Sequence, residues 1–154
     1  MRLMYLKPRL KDLSQGSRIS FVRQFRQITQ DELADKLKLK GERKRRTITN
    51  YENGIRSPKD ERLLEISNIL NVRINTIKEY DFKEPTDIVY TLMWIEELYP
   101  EYQIDLPITY YNDNTLLISK FINEWNEMRV KRSKRKITYE EYIDWKLNYE
   151  IKGE

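Results

Sequence analysis

The chain contains no cysteine and no histidine. That removes disulfides, thiolate nucleophiles, histidine general bases and essentially every zinc site. Catalysis would then rest on carboxylates or lysine, and no paired motif of that kind stands out. No catalytic residue, metal ligand or cofactor is therefore expected. Glycine and proline are scarce too, four and five among 154 residues. With many Leu, Ile, Lys and Glu, that scarcity favours a mostly helical class. No apolar run approaches the roughly 20 residues needed to span a bilayer. The first residues, MRLMYLKPRLKD, lack the apolar core and cleavage site of a signal peptide. A cytoplasmic protein is expected.

Charge is present instead, and it is unevenly placed. Residues 1–80 hold 19 Lys and Arg against 10 Asp and Glu, a net of +9. Residues 81–154 hold 10 against 15, a net of −5, which together restore the +4 of the whole chain. The first half suits a polyanion and the second would be repelled by one. A chain of this length buries one ordinary core or two small ones.

Apolar spacing predicts the helices. Residues 1–15 carry Leu3, Met4, Leu6, Leu10 and Leu13 around Pro8, and read as an arm or a short helix. Ser17 is a candidate N-cap for a helix with Ile19, Val22 and Phe25 inside. Thr29 with Glu32 forms a capping-box pattern ahead of Leu33, Ala34 and Leu37. Ile48 and Tyr51 mark a third helix that stops at Asn53-Gly54. A fourth, about 59–70, would bury Leu63, Leu64, Ile66, Ile69 and Leu70. A short fifth is expected over 74–80. Residues 81–86 read as a linker.

Beyond the linker, Ile88, Leu92, Ile95 and Leu98 predict one face of a helix over 87–99. Segment 101–113 reads as a loop or one edge strand. Asn114 would cap a long helix to Arg129, with Leu117, Phe121, Trp125 and Met128 on one stripe. Thr138 and Glu141 form a second capping box, followed by Tyr142, Trp145 and Tyr149 facing inward. Trp94, Trp125, Tyr139, Tyr142, Trp145 and Tyr149 suit a core, a ligand pocket or a dimer interface. Glu96, Glu97, Glu140 and Glu141 read as surface helix charge. The basic run 129–136 reads as a charged helix end or loop, with a contact to flanking DNA as the alternative.

The stretch TQDELADKLKLKGERKRRTITNYENG, residues 29–54, is the most telling. Two short helices meet at a turn, and the second is entered through Arg43, Lys44, Arg45 and Arg46. Cations at such an entry can hold phosphates, while Thr47, Thr49 and Asn50 can meet base edges. The surrounding residues Arg18-Ile19, Arg23, Thr29-Gln30, Glu32-Leu33-Ala34, Leu37, Ile48, Tyr51-Glu52-Asn53-Gly54, Pro58, Leu63, Ile66, Leu70 and Asn71-Val72 resemble the Cro/C1-type, or XRE-family, helix-turn-helix domain. The resemblance covers about residues 16–79.

The resemblance implies a lambda-repressor-like five-helix domain over 16–80, after an arm at 1–15. A small helical domain over 87–152 would follow, for dimerisation or sensing. It implies a third helix in the major groove, in a homodimer on an inverted-repeat operator of double-stranded DNA. Base-reading residues would be Arg45, Arg46, Thr47, Thr49 and Asn50. Backbone contacts would be Arg23, Gln30, Lys40, Arg43, Lys44, Asn53, Arg56 and Lys59. Arg23 is also placed to pair with Glu52. Lys36 and Lys38 would add attraction that salt weakens.

The chain departs from the family in the turn. Eight residues, Lys40 to Thr47, separate Leu39 from Ile48, about four more than usual. Either the third helix starts earlier or a basic loop lies on the DNA; a start near Gly41–Glu42 is favoured. The expected function is a sequence-specific transcriptional regulator, more often a repressor. The alternative is an antitoxin, or an accessory DNA-binding protein of a plasmid or mobile element, whose second half binds a protein partner. A protein or small-molecule effector at that half is a further expectation.

Overall fold

Ser14 opens the first helix, and the reason lies two residues upstream. Asp12 accepts a hydrogen bond from the Ser14 amide (2.9 Å), and Ser14 Oγ accepts one from the Ser17 amide (3.2 Å). The helix α1 therefore spans Gln15–Phe25 with Ser14 as its cap. This corrects the assignment of Ser17, which lies buried in the first turn. The Ser14 and Ser17 hydroxyls and the Ser14 amide hold the Asp12 carboxyl below its ordinary pKa.

The computed structural model describes residues 7–101 and 116–151, and every regular element among them is a helix. The predicted loop or strand at 101–113 and the cap at Asn114 fall outside the described residues, apart from Glu101 in a turn. Two compact units divide the chain, Met1–Tyr80 and Asp81–Glu154.

In the first unit α1 is followed by α2 (Gln30–Lys36), α3 (Lys44–Glu52), α4 (Asp60–Leu70) and α5 (Ile74–Ile77). The Thr29–Glu32 capping box forms in full at the start of α2. Ile19, Val22, Leu33, Ala34, Ile48, Ile66, Leu70 and Ile77 make a core from all five helices, each at most 1% exposed. Each Val, Leu or Ile among them contributes about 1.5–3 kcal/mol by leaving water. Leu64, expected inside, is half exposed. Leu63 and Ile66 already take the inner positions of that turn, and 64 lies a helical step away from them.

The fifth helix is four residues long and does not reach Tyr80. Buried Arg18 accounts for the stop. Its guanidinium donates to the carbonyls of Thr76 (2.8 Å) and Lys78 (2.7 Å) and lies 4.1 Å from the Tyr80 ring centroid. An extended backbone at Lys78 presents those carbonyls to it. Gly16 has a different task, a close approach. A Cβ there would lie 2.5 Å from the Glu52 carbonyl oxygen and closer still to that of Tyr51. The start of α1 thus sits directly on the end of α3, and only glycine leaves room.

The second unit contains α6 (Pro85–Leu98), α7 (Leu116–Ser133) and α8 (Tyr139–Leu147). Pro85 begins α6 where a missing amide costs nothing. Its buried apolar residues are Val89, Tyr90, Met93 and Trp94 rather than Ile88, Leu92, Ile95 and Leu98. This helix is apolar around most of its circumference, so two faces satisfy the same period. Packing takes the one that buries the rings, and leaves Ile88 43% exposed.

Glu96 and Glu97 are not surface charges. Buried Lys146 donates to Glu97 Oε1 (2.7 Å), Glu96 Oε1 (3.1 Å) and the Met93 carbonyl (3.2 Å). Tyr142 donates to Glu96 and accepts from Trp125 Nε1 (2.9 Å). Burial, then the Glu96 charge, pushes the Tyr142 hydroxyl far above its usual pKa, so it stays a donor. The Thr138–Glu141 capping box begins α8 as expected.

Candidate nucleic-acid interface

The helix α3 starts at Lys44, two to three residues later than the favoured start at Gly41–Glu42. Gly41 has φ +95°, a left-handed conformation that ends any helical continuation from Lys40. The Lys44 amide then bonds to the Gly41 carbonyl (3.2 Å) and the Arg46 amide to that of Arg43 (3.0 Å). The extra residues are therefore shared. Lys40–Arg43 form a tight basic turn, and Lys44, Arg45 and Arg46 form the first turn of α3.

That first turn has an unusual electrostatic character. Arg43 is the N-cap and supplies no side-chain cap, and no acidic residue stands in the first turn. The positive end of the helix dipole meets a concentration of cations. An anion placed there would gain from the dipole, the amides and the side chains together.

Behind the turn lies a polar chain across three helices. Arg23 on α1 donates to both oxygens of Glu52, at 2.5 and 3.1 Å, and to the Ile28 carbonyl (2.8 Å). Both partners are largely shielded, with side chains 11% and 6% exposed, so this pair holds the end of α3. Gln30, the first residue of α2, donates Nε2 to Glu52 Oε2 (2.8 Å). Its Oε1 accepts from Arg45 Nε (3.1 Å) and lies 3.3 Å from Thr49 Oγ1. Thr49 Oγ1 is also 3.2 Å from the Arg45 carbonyl, one proton for two acceptors. Arg23 and Gln30, expected on the DNA backbone, are in this geometry the residues that orient α3.

Two acids that sequence reasoning passed over also belong here. Asp35 accepts a hydrogen bond from Lys44, and Asp31 lies 3.8 Å from Arg45 Nη1. They stand four residues apart on one face of α2, a spacing that was the available signal. Both pairs are exposed, so each is weak and open to exchange for another anion.

The remaining predicted residues divide by position. Arg46 and Asn50 lie one turn apart on the outer side of α3, and neither side chain has a partner among the described residues. Thr47 is half-buried beside them. Lys40, Arg43, Arg56 and Lys59 are exposed, likewise without side-chain partners among the described residues. Arg56 is placed by α3 itself: its amide and that of Ile55 bond to the Asn50 carbonyl, at 3.2 and 2.9 Å. Gly54 turns the chain there with φ +71°, and Asn53 is the C-cap.

A family model described as helix-turn-helix matches residues 22–77. The matched stretch begins within α1, ends with α5, and contains every residue of the polar chain. No curated relative and no solved structure matches the chain. The arrangement is that of a DNA-binding module, and among the described residues no helix is long and apolar enough to cross a membrane.

Proposed function

Because residues 22–77 are a Cro/C1-type helix-turn-helix domain, we propose that the protein is a sequence-specific regulator that represses transcription from operator DNA. The helix α3 enters the major groove. Arg46 reads guanine through a bidentate bond and Asn50 reads adenine, each worth about 1–3 kcal/mol of discrimination. Thr47 and Thr49 contribute methyl and hydroxyl contacts. Arg45 reads from a position held by Gln30 and Asp31. Lys40, Arg43, Lys44, Asn53, Arg56 and Lys59 hold phosphates on either side.

The observation that carries this reading is the start of α3: an uncapped, cation-rich helix end next to an unoccupied Arg46–Asn50 face. In the free protein that end is electrostatically unfavourable, and a phosphate relieves it. One nine-residue helix offers little contact. We therefore propose a homodimer on an inverted repeat, paired through 87–152, since linked half-sites multiply affinity.

The test is selection of bound duplexes with the purified chain, followed by titration of the selected site. Arg46→Ala and Asn50→Ala should each narrow the gap between operator and random duplex. Lys40→Ala should weaken both about equally and lower the salt slope by about one. If all three left specific binding untouched, the groove assignment would be wrong.

A further inference from the structure

The acidic half of the chain carries a concentrated exception. Residues 131–136, KRSKRK, hold five of the ten basic residues found in 81–154. Lys131 and Arg132 stand in the last turn of α7, where a cation meets the negative end of the helix dipole. That gives them a structural task. Lys134, Arg135 and Lys136 lie past the helix end and have none.

The backbone shows why. The amides of Lys134, Arg135 and Lys136 bond to the carbonyls of Val130 (3.0 Å), Arg132 (2.9 Å) and Lys131 (2.8 Å). The end of α7 is thus capped by main chain, and the three side chains are not needed for it. All three are exposed, with no acidic partner among the described residues. Arg135 has φ +55°, a conformation that favours glycine or asparagine, yet the position carries an arginine.

Two of these cations, Arg135 and Lys136, converge with Arg132. Arg132, Arg135 and Lys136 line one depression of about 380 Å³ with Tyr139. Arg132 lies 4.8 Å from the Tyr139 ring centroid and 5.3 Å from that of Tyr142, which fixes its guanidinium at the rim. The nearest acid on α8, Glu141, is turned back onto the Thr138 amide (2.7 Å).

We propose that the α7–α8 turn is a second nucleic-acid surface, binding the phosphodiester backbone of duplex DNA without reading sequence. An exposed array of ammonium and guanidinium groups with no hydrogen-bonding frame suits repeated phosphates rather than one shaped ligand. The choice of duplex as occupant rests on the reading of the amino-terminal domain. A second, linked cationic site then raises affinity through effective concentration.

The test uses the full chain and a random-sequence duplex, with affinity measured across salt concentrations. The K134Q/R135Q/K136Q variant should lower the slope of log affinity against log salt by roughly two to three, one phosphate contact for each charge lost. The K134R/K136R variant should keep the wild-type slope. Circular dichroism and thermal unfolding should match wild type, because none of the three side chains is packed. An unchanged slope in the triple variant overturns the proposal.

The amino-terminal reading is checked separately by operator preference. A protein with no preference for any duplex, whose slope still falls in the triple variant, would lose the repressor reading and keep this surface. A protein that keeps its preference and its slope would do the reverse.

Discussion

The helices α2 and α3 are neighbours in one domain and begin in opposite ways. The first residues of α2 satisfy their own amides: Thr29 accepts from Glu32, Glu32 accepts from Thr29, and Asp31 adds negative charge to the first turn. The first residues of α3 do none of this and add three cations instead. Helix formation in α2 is supported locally. In α3 it is supported by the scaffold, through buried Ile48, the Gly16 contact and the Arg23–Glu52–Gln30 chain. A helix held from behind can leave its front end unsatisfied, and that is the end a phosphate would reach.

The comparison breaks most severely at Glu52. Glu52→Ala leaves Arg23 shielded without its acid and Gln30 without its acceptor. Removing one partner of a buried pair costs about 3–5 kcal/mol. A side chain 11% exposed places Arg23 toward the lower end. Urea denaturation should show the loss, and the Arg23→Ala/Glu52→Ala double variant should lose much less than the two singles together. Additive losses would mean the two residues do not act as a unit.

A smaller change sharpens the contrast from the other side. Arg43→Asp puts an anion where a cation now meets the positive end of the α3 dipole, and should stabilise the free protein by about 0.3–1 kcal/mol. The same change should weaken binding to random duplex and lower the salt slope. Thr29→Ala should do the opposite to stability, costing about 1 kcal/mol, with little change in slope. If Arg43→Asp tightened DNA binding, the front of α3 would not face phosphate.

The smallest effect is a pH dependence. Hydrogen bonds from the Thr29 amide and hydroxyl hold the Glu32 carboxyl below its ordinary value of 4.5. A carboxyl with a depressed folded pKa contributes stability above the unfolded value and loses it as pH falls through the folded one. Thermal unfolding of Glu32→Gln should therefore lose less stability than wild type on acidification below about pH 4.5, the ordinary value. Equal acid limbs would show that the capping box does not titrate with folding.

Much of the fold was legible because its signals are local. Both capping boxes join residues three apart, and the Asn53-Gly54 stop is a property of two adjacent residues. The Arg23–Glu52 pair was visible as an alternative because the two frame a familiar motif. Misread elements share another cause. The face of α6 and the exposure of Leu64 depend on which of two apolar stripes finds the larger partner. The start of α3 turned on a single left-handed glycine. Asp31 and Asp35 were passed over because their partners lie on α3, fourteen and nine positions further on.

By itself, the sequence determined the helical class, the opposed charges of the two halves, the helix-turn-helix register and the absence of thiol and imidazole chemistry. These follow from composition and from interactions spanning a few residues. Only the tertiary structure decided which cations are held and which are open. Lys44 and Arg45 lie in weak, exposed pairs with acids nine and fourteen positions away, and Lys146 is neutralised by acids some fifty positions away. Arg46, Lys134, Arg135 and Lys136 are left to solvent. Charge is a property of the residue, but its availability is set by what packing brings within a few ångströms of it.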